Sequence, residues 1–269
     1  MNRIFQLGIA ALSIPIINLT EQGSAFAFVP STMFDIDVQS DVTFNKVTGL
    51  FHFSYIVKNS PQSQQDIGYF GVSYGNTLPL NISSPANWIP LSQFRGESME
   101  LWVVDTLSAK AVTPGSVATG YGFDSNRLPS IQTWYARSTY NYIIHDPKEL
   151  PSINLTDKND FFVNSKHGAI TGPGNFSSSN PKDLVVYLRS IQNEAANGGW
   201  FKPQGTLQSL DAKLNAAEKS LDSKNFKTAG NQLSAYLNEV NAQRGKKLGD
   251  TTADLFASIA LYALATMGQ

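Results

Sequence analysis

The chain has 269 residues, no cysteine, a formal net charge of −1 and only 15% charged side chains. That length buries a substantial core, in one large domain or two ordinary ones. The lack of cysteine excludes disulfides, thiolate metal sites and thiol nucleophiles, and the near-neutral charge excludes a general nucleic-acid binder.

The first 27 residues read as an export signal. Arg3 supplies the positive start, and Leu7 to Ile17 is an apolar stretch broken only by Gly8, Ser13 and Pro15. Ala25-Phe26-Ala27 then fits the small-x-small cleavage rule, so the mature chain is expected to run from Phe28 to Gln269. The apolar stretch is too short to span a bilayer, and no cysteine follows it to carry a lipid.

From there to about residue 180 the hydrophobic period is two. Phe34, Ile36 and Val38 alternate with Asp35, Asp37 and Gln39. Phe51, Phe53, Tyr55 and Val57 share one strand face, opposite His52, Ser54 and Lys58, with Ile56 the apolar exception. Such alternation marks half-buried strands of an antiparallel sheet. Further strands are expected at about 67–74, 99–105, 116–124, 132–140 and 160–170. Turn signals punctuate them at 45–49, Asn59-Ser60-Pro61, Gly75-Asn76, Pro114-Gly115 and Asp124-Ser125-Asn126. Gly120 and Gly122 lie within one such strand, where a bulge or close packing explains them. Gly172-Pro173-Gly174 to Ser179 reads as a hinge.

After residue 180 the period becomes helical. Asn180-Pro181-Lys182-Asp183 is a helix start: a polar cap, proline at the first helical position and an acid in the first turn. Leu184, Leu188, Ile191 and Ala195 follow on one face, and Asn197-Gly198-Gly199 stops the helix. A second helix carries Leu207, Leu210, Leu214, Ala217 and Leu221. A third carries Phe226, Ala229, Leu233, Leu237 and Val240 and ends before Gly245. A fourth begins near Asp250 and carries Phe256, Ile259, Ala260, Ala263 and Met267. The apolar run from Ala253 to Met267 is expected as a buried terminal helix rather than a membrane anchor. The organisation is therefore a signal peptide (1–27), a β-sandwich of immunoglobulin-like or jelly-roll-like type (28–178) and a four-helix bundle (179–269), all-β followed by all-α.

The helical part carries Leu207-x-x-Leu210-x-x-Lys213-Leu214-x-x-Ala217. Further on comes Ala229-x-x-x-Leu233-x-Ala235-Tyr236-Leu237-x-x-Val240-x-Ala242-Gln243-x-Gly245-Lys246. This resembles the C-terminal helical modules of secreted bacterial proteins known as FIMAH domains, which usually show Phe-Ile where this chain has Tyr236-Leu237. The β part, through Thr48-Gly49-Leu50-Phe51, Tyr55-x-Val57-x-Asn59 and Pro114-Gly115, is similar to exported bacterial proteins of uncharacterised type. A weaker similarity, Ala217 to Ala229 through Asn225-Phe226, is to one tetratricopeptide hairpin, short of the three that a stable array needs. These resemblances imply architecture and export. They imply no catalytic residue.

The sharpest catalytic-looking string is Gly71-Val72-Ser73-Tyr74-Gly75, a G-x-S-x-G. The nucleophile elbow needs a helix after the serine, whereas Asn76-Thr77-Leu78-Pro79 follows. Asp124, His145 and His167 complete only a nominal triad order. No histidine pair has helical i, i+4 spacing, so zinc is not expected. His52 is expected as a solvated surface residue. Asp35, Asp37 and Asp41, or Asp157 and Asp160, are the remaining cation candidates, but neither group has an EF-hand pattern and a solvated acidic face is the simpler reading. The glycine-rich run 168–174 lacks the lysine of a phosphate loop.

Aromatic residues give the one binding hint. Trp134, Tyr140 and Tyr142 have even spacing, so a single strand presents them on one face as a platform for sugar rings, or else Trp134 belongs to the core with the tyrosines at its wet edge. Trp88 and Trp102 show no partner pattern, and Trp200 is expected to pack the bundle or dock it to the sandwich. The sequence is thus read as an exported, non-enzymatic structural, adhesion or binding protein, secreted, periplasmic or at the cell surface. No cofactor, metal, nucleic acid or mature membrane span is expected; a polysaccharide or another surface protein is the expected class of partner. A carbohydrate-binding module is the alternative, and a secreted hydrolase using Ser73 a more distant one.

Overall fold

The computed structural model describes residues 32–105, 111–138, 161–162, 164–202 and 205–268. The expected signal peptide (1–27), Tyr140 and Tyr142 lie outside them. Nine strands come first: β1 (Ile36–Asn45), β2 (Leu50–Asn59), β3 (Tyr69–Ser73), β4 (Leu80–Ser83), β5 (Trp88–Ser92), β6 (Met99–Val104), β7 (Val117–Ser125), β8 (Pro129–Arg137) and β9 (Lys166–Pro173). They form two antiparallel sheets, ordered β1-β2-β7-β4 and β5-β6-β3-β8-β9. Four helices follow: α1 (Pro181–Asn197), α2 (Thr206–Asp222), α3 (Phe226–Gln243) and α4 (Asp250–Thr266). The expected sandwich followed by a helical bundle is the fold.

Alternation in β2 does what the sequence requires: Phe51, Phe53, Tyr55 and Val57 are all buried. The β1–β2 turn is set locally. Asn45 Oδ1 accepts from the backbone N–H of Val47 and Thr48, and Gly49 closes the turn with φ +72°. In β7 the pairing with β2 slips at Tyr55/Ile56, leaving Gly120 as the extra residue of a bulge at φ +97°. Gly122 serves close packing instead, since a Cβ there would lie 2.7 Å from the Phe53 carbonyl oxygen.

Trp102 is the centre of the sandwich. Its ring lies nearly parallel to Phe70 (centroids 5.8 Å apart) and to Phe123 (6.1 Å), and its indole N–H donates to the Ser83 carbonyl at 2.9 Å. Trp88 packs edge-on against Tyr121 at 5.1 Å. The partners of both tryptophans come from other strands, so no pattern near either residue announces them.

Three local expectations are corrected. Strands β4 and β5 carry no alternation because they are short edge strands with largely exposed side chains. Phe161 and Phe162 form a helical turn rather than the start of a strand; Phe161 packs against Tyr69 and Phe94 on a separate buried cluster, and β9 begins only at Lys166. The Gly/Ser/Asn-rich stretch is tied down and is no free hinge. Gly172 and Pro173 belong to β9, the Gly174 N–H donates to Leu128 O at 2.9 Å, Asn175 Oδ1 accepts from Asn76 N–H at 2.8 Å, and Phe176 stacks on Tyr187 at 4.3 Å.

The helix boundaries follow their caps. Asn180 Oδ1 accepts from Lys182 N–H at 2.9 Å, and Asn225 Oδ1 from Thr228 N–H at 3.0 Å. Phe226 departs from expectation: it stands at the first turn of α3 and is 48% exposed. Tyr236 takes the buried place instead. Its hydroxyl donates to Gln192 Oε1 at 3.1 Å and Gln192 Nε2 donates to Asp211 at 2.8 Å, joining α1, α2 and α3 by one buried polar chain. The fourth helix is buried on most of its circumference, including Thr252, Leu255, Phe256, Ser258, Ile259, Ala260 and Ala263. It lies against β1, α1 and α3 and reaches β8 and β9. Tyr262 meets Phe44 at 5.2 Å and Phe51 at 5.5 Å, and Phe256 meets Phe201 at 5.9 Å. A single apolar cluster therefore joins both sheets to the bundle, with members from Phe34 to Leu264 in the sequence. No helix among the described residues is long and apolar enough to cross a membrane.

This shared core predicts joint unfolding. Phe256→Ala is expected to destabilise the chain by about 3–5 kcal/mol. Sandwich and bundle are expected to lose structure in one transition, followed by far-ultraviolet circular dichroism and tryptophan fluorescence during denaturant titration. Two separated transitions in the parent chain would show that the bundle stands on its own.

Candidate functional site

Strand register brings Trp134 level with Val72 on one side and Gly168 on the other. Residues paired across a sheet share a face, so Trp134 points the same way as the fully buried Val72. Its indole lies across Gly168, where a Cβ would come within 2.8 Å of Nε1. Trp134 is half-buried and lines a cleft of about 550 Å³ with Asp35, Ile36, Lys166 and His167. Its two expected companions, Tyr140 and Tyr142, lie outside the described residues.

The G-x-S-x-G string has a packing explanation. Gly71 lies against β6, where a Cβ would sit 2.9 Å from Met99 Sδ, and at Gly75 one would run into the Gly174 carbonyl oxygen. Ser73 ends β3 and lines an open cleft with Glu97, Ser98, Tyr135 and Phe162. Among the described residues no histidine lines that cleft. His167 lies tilted against Tyr135, ring centroids 6.1 Å apart, and His145 is outside the described residues. His52 is exposed, as expected of its strand face, yet not simply solvated: Nδ1 lies 2.7 Å from Asp124 Oδ1. Asp124 also accepts from Asn81 Nδ2 at 2.7 Å.

The three early aspartates go separate ways. Asp35 pairs with Lys166 at 3.2 Å, and Asp37 with Lys58 at 3.3 Å. Asp41 turns to the bundle and shares a hydrogen bond with Asp254. Among the described residues no three histidine, aspartate or glutamate side chains gather as a metal site. Asp157 and Asp160 lie outside them.

The contact between Asp41 and Asp254 belongs to a site that no local motif announces. Arg244, just after α3, donates from Nη2 to Asp254 at 2.6 Å and lies 3.8 Å from Asp250. Burial, then the hydrogen bond and charge of Asp254, push the Asp41 carboxyl above its ordinary value, against the opposing pull of Arg244 and His52. Beside these charges, Thr251 Oγ donates to the Ser40 carbonyl at 2.9 Å, closing the backbone edge of β1 at that residue. The first turn of α4, β1, β9 and Trp200 enclose a cleft of about 530 Å³. Its walls are mixed: Val38, Ile170 and Trp200 are apolar, while Asp41, Ser54 and Thr251 are polar. Trp200, expected to pack the bundle or dock it to the sandwich, is half-buried against the shared core and lines this cleft with residues of both parts.

One more buried acid stands apart from these clefts. Glu100 pairs with Val72 and Ser92 in register, and is fully buried. Ser92 Oγ donates to Glu100 Oε2 at 2.6 Å, while Oε1 has no hydrogen-bond partner among the described residues. Burial raises its pKa, opposed by the Ser92 hydrogen bond. A carboxyl whose folded pKa is raised contributes stability that is complete below its unfolded value and is lost as pH rises through the folded value. Glu100→Gln is therefore expected to gain stability relative to the parent at pH 8 and to lose that advantage at pH 4, measured as denaturation midpoints at each pH. An advantage independent of pH would remove ionisation of Glu100 as its cause. No protein-family model and no curated protein matches this chain, so the geometry of these clefts carries the functional reading.

Proposed function

We propose that the protein is exported and acts without catalysis, as a binding or adhesion protein outside the inner membrane. The observation that carries the binding part is the position of two clefts, of about 530 and 550 Å³, along one seam between β1 and β9. Each has a half-buried tryptophan, Trp200 in one and Trp134 in the other. Preformed concave sites with aromatic walls and a few polar groups suit recognition of a ligand. Among the described residues no histidine lines the cleft of Ser73, the best nucleophile candidate, which supports a role without acyl transfer.

Export rests on the sequence: a positive start, an apolar stretch and Ala25-Phe26-Ala27. The resemblance of the helical part to modules of secreted bacterial proteins agrees with it. Secretion, a periplasmic location and attachment at the cell surface are all compatible with a signal of this kind.

Expression of the complete chain in a bacterial host, followed by fractionation and terminal sequencing, tests the address. The expected product is extracytoplasmic, begins at Phe28 and sediments with cell envelopes or insoluble polysaccharide. A full-length chain held in the cytoplasm would defeat the export reading. A chain that is exported but retained by neither material would defeat the adhesion reading. A fluorophosphonate probe is expected to leave the purified protein unlabelled, and labelling lost in Ser73→Ala would establish the hydrolase alternative.

A further inference from the structure

Consecutive residues of two strands line the two clefts. Asp35 and Ile36 of the β1 side face Lys166 and His167 in one; Val38 to Asp41 face Ala169 and Ile170 in the other. Between them Trp134 lies over Gly168. From Ile36 to Ser40 an extended strand advances about 13 Å, a length that holds more than one sugar ring. Where the seam meets the bundle it ends at Trp200 and the first turn of α4.

The chemistry at that end is paired. The α4 N-cap is Gly249, which has no side chain to accept from the first-turn N–H groups. Carboxylate acceptors Asp41 and Asp250 line the same cleft. Ser40 is only 7% exposed and lines it too, and its hydroxyl has no partner among the described residues. A buried polar group without a partner costs stability unless something satisfies it. Donors, acceptors and an aromatic wall set side by side match one ligand chemistry best. A sugar hydroxyl donates and accepts at once, and the C–H face of the ring covers an indole. A simple anion would meet the carboxylates, and a simple cation would meet the helix N-terminus and Arg244.

We infer that the β1–β9 seam binds a neutral oligosaccharide, with one ring against Trp200 and its hydroxyls between Asp41 and the first turn of α4. This rests on the reading of the protein as a non-catalytic binder and names its ligand class and site. It differs from the strand platform read from the sequence: Trp134 contributes from inside the seam, and Trp200 takes the leading place.

The test uses the purified mature chain with cellotetraose, chitotetraose and maltotetraose, followed by amide and indole N–H shifts in nuclear magnetic resonance. At least one sugar is expected to give saturable shifts at millimolar concentrations or below, centred on residues 38–41, 169–170 and 249–254 and on the Trp200 indole. Trp200→Ala is expected to weaken that sugar about tenfold or more. Because Trp200 also packs against the core, Asp41→Asn is the second variant. It keeps the side-chain shape and is expected to weaken the same sugar several-fold. Shifts centred elsewhere, affinity unchanged in folded Asp41→Asn, or saturation by spermidine or phosphate but by none of the sugars would overturn the site. So would silence with all three sugars. If that silent protein is still exported and still sediments with envelopes, only the sugar site falls; if it does neither, the binding reading falls as well.

Discussion

The structure depends on how one open side of a β-sandwich is closed. Two sheets stacked face to face leave edge strands whose backbone groups and inward apolar side chains need cover. Here β1 and β9 form one such side, and α4 lies along it. That helix is the most apolar of the four, and it is buried against the sheet and against α1 and α3 together. An amphipathic helix has one face to hide; α4 buries residues on more than one face, which a place between two other layers provides. Tyr262 against Phe44 and Phe51 joins sheet to helix, and Phe256 against Phe201 joins helix to bundle.

The opposite side of the sandwich is managed by other means. Strand β5 carries Pro90, which has no N–H to offer a further strand, and β4 is four residues long with Asn81 at φ +48°. Leu80, Ile89 and Leu91 are exposed there, but the irregular backbone does not present a continuous row of hydrogen-bonding groups. The proposed binding seam lies on the side where closure is incomplete. A helix end cannot match a strand edge along its whole length, so clefts persist between Thr251, which does reach the β1 backbone, and the rest of the seam. The charged cluster of Asp41, Arg244, Asp250 and Asp254 sits at the same place because the end of α3 and the start of α4 meet the middle of β1 there.

Much of this was legible in the chain. Asn180-Pro181 and Asn225 place helix starts because a cap acts on the backbone two or three residues away. The alternation of β2 declares its buried face for an equally local reason. Legibility fails where no local period exists. Edge strands β4 and β5 bury too little to alternate, and the pinned glycine-rich stretch is held by Leu128 and Asn76, far from it in sequence. Even spacing nominated Trp134 but not its setting, because spacing says which face a side chain shares and not what stands opposite. Trp200 and Asp254 carry no motif at all; their role comes from meeting β1, more than 150 residues earlier.

What the sequence by itself determined is the change of period from two to 3.6 near residue 180, the caps, the turns and the hydrophobic content of the last helix. Each is a matter of neighbours along the chain, and each specifies an element. The tertiary structure alone decided that the last helix closes the sandwich, that one apolar core crosses the expected boundary at 178/179, and that a cleft remains where helix end and strand edge do not fit. Those outcomes depend on which surfaces meet, and pairing of distant surfaces leaves no period for a single sequence to show.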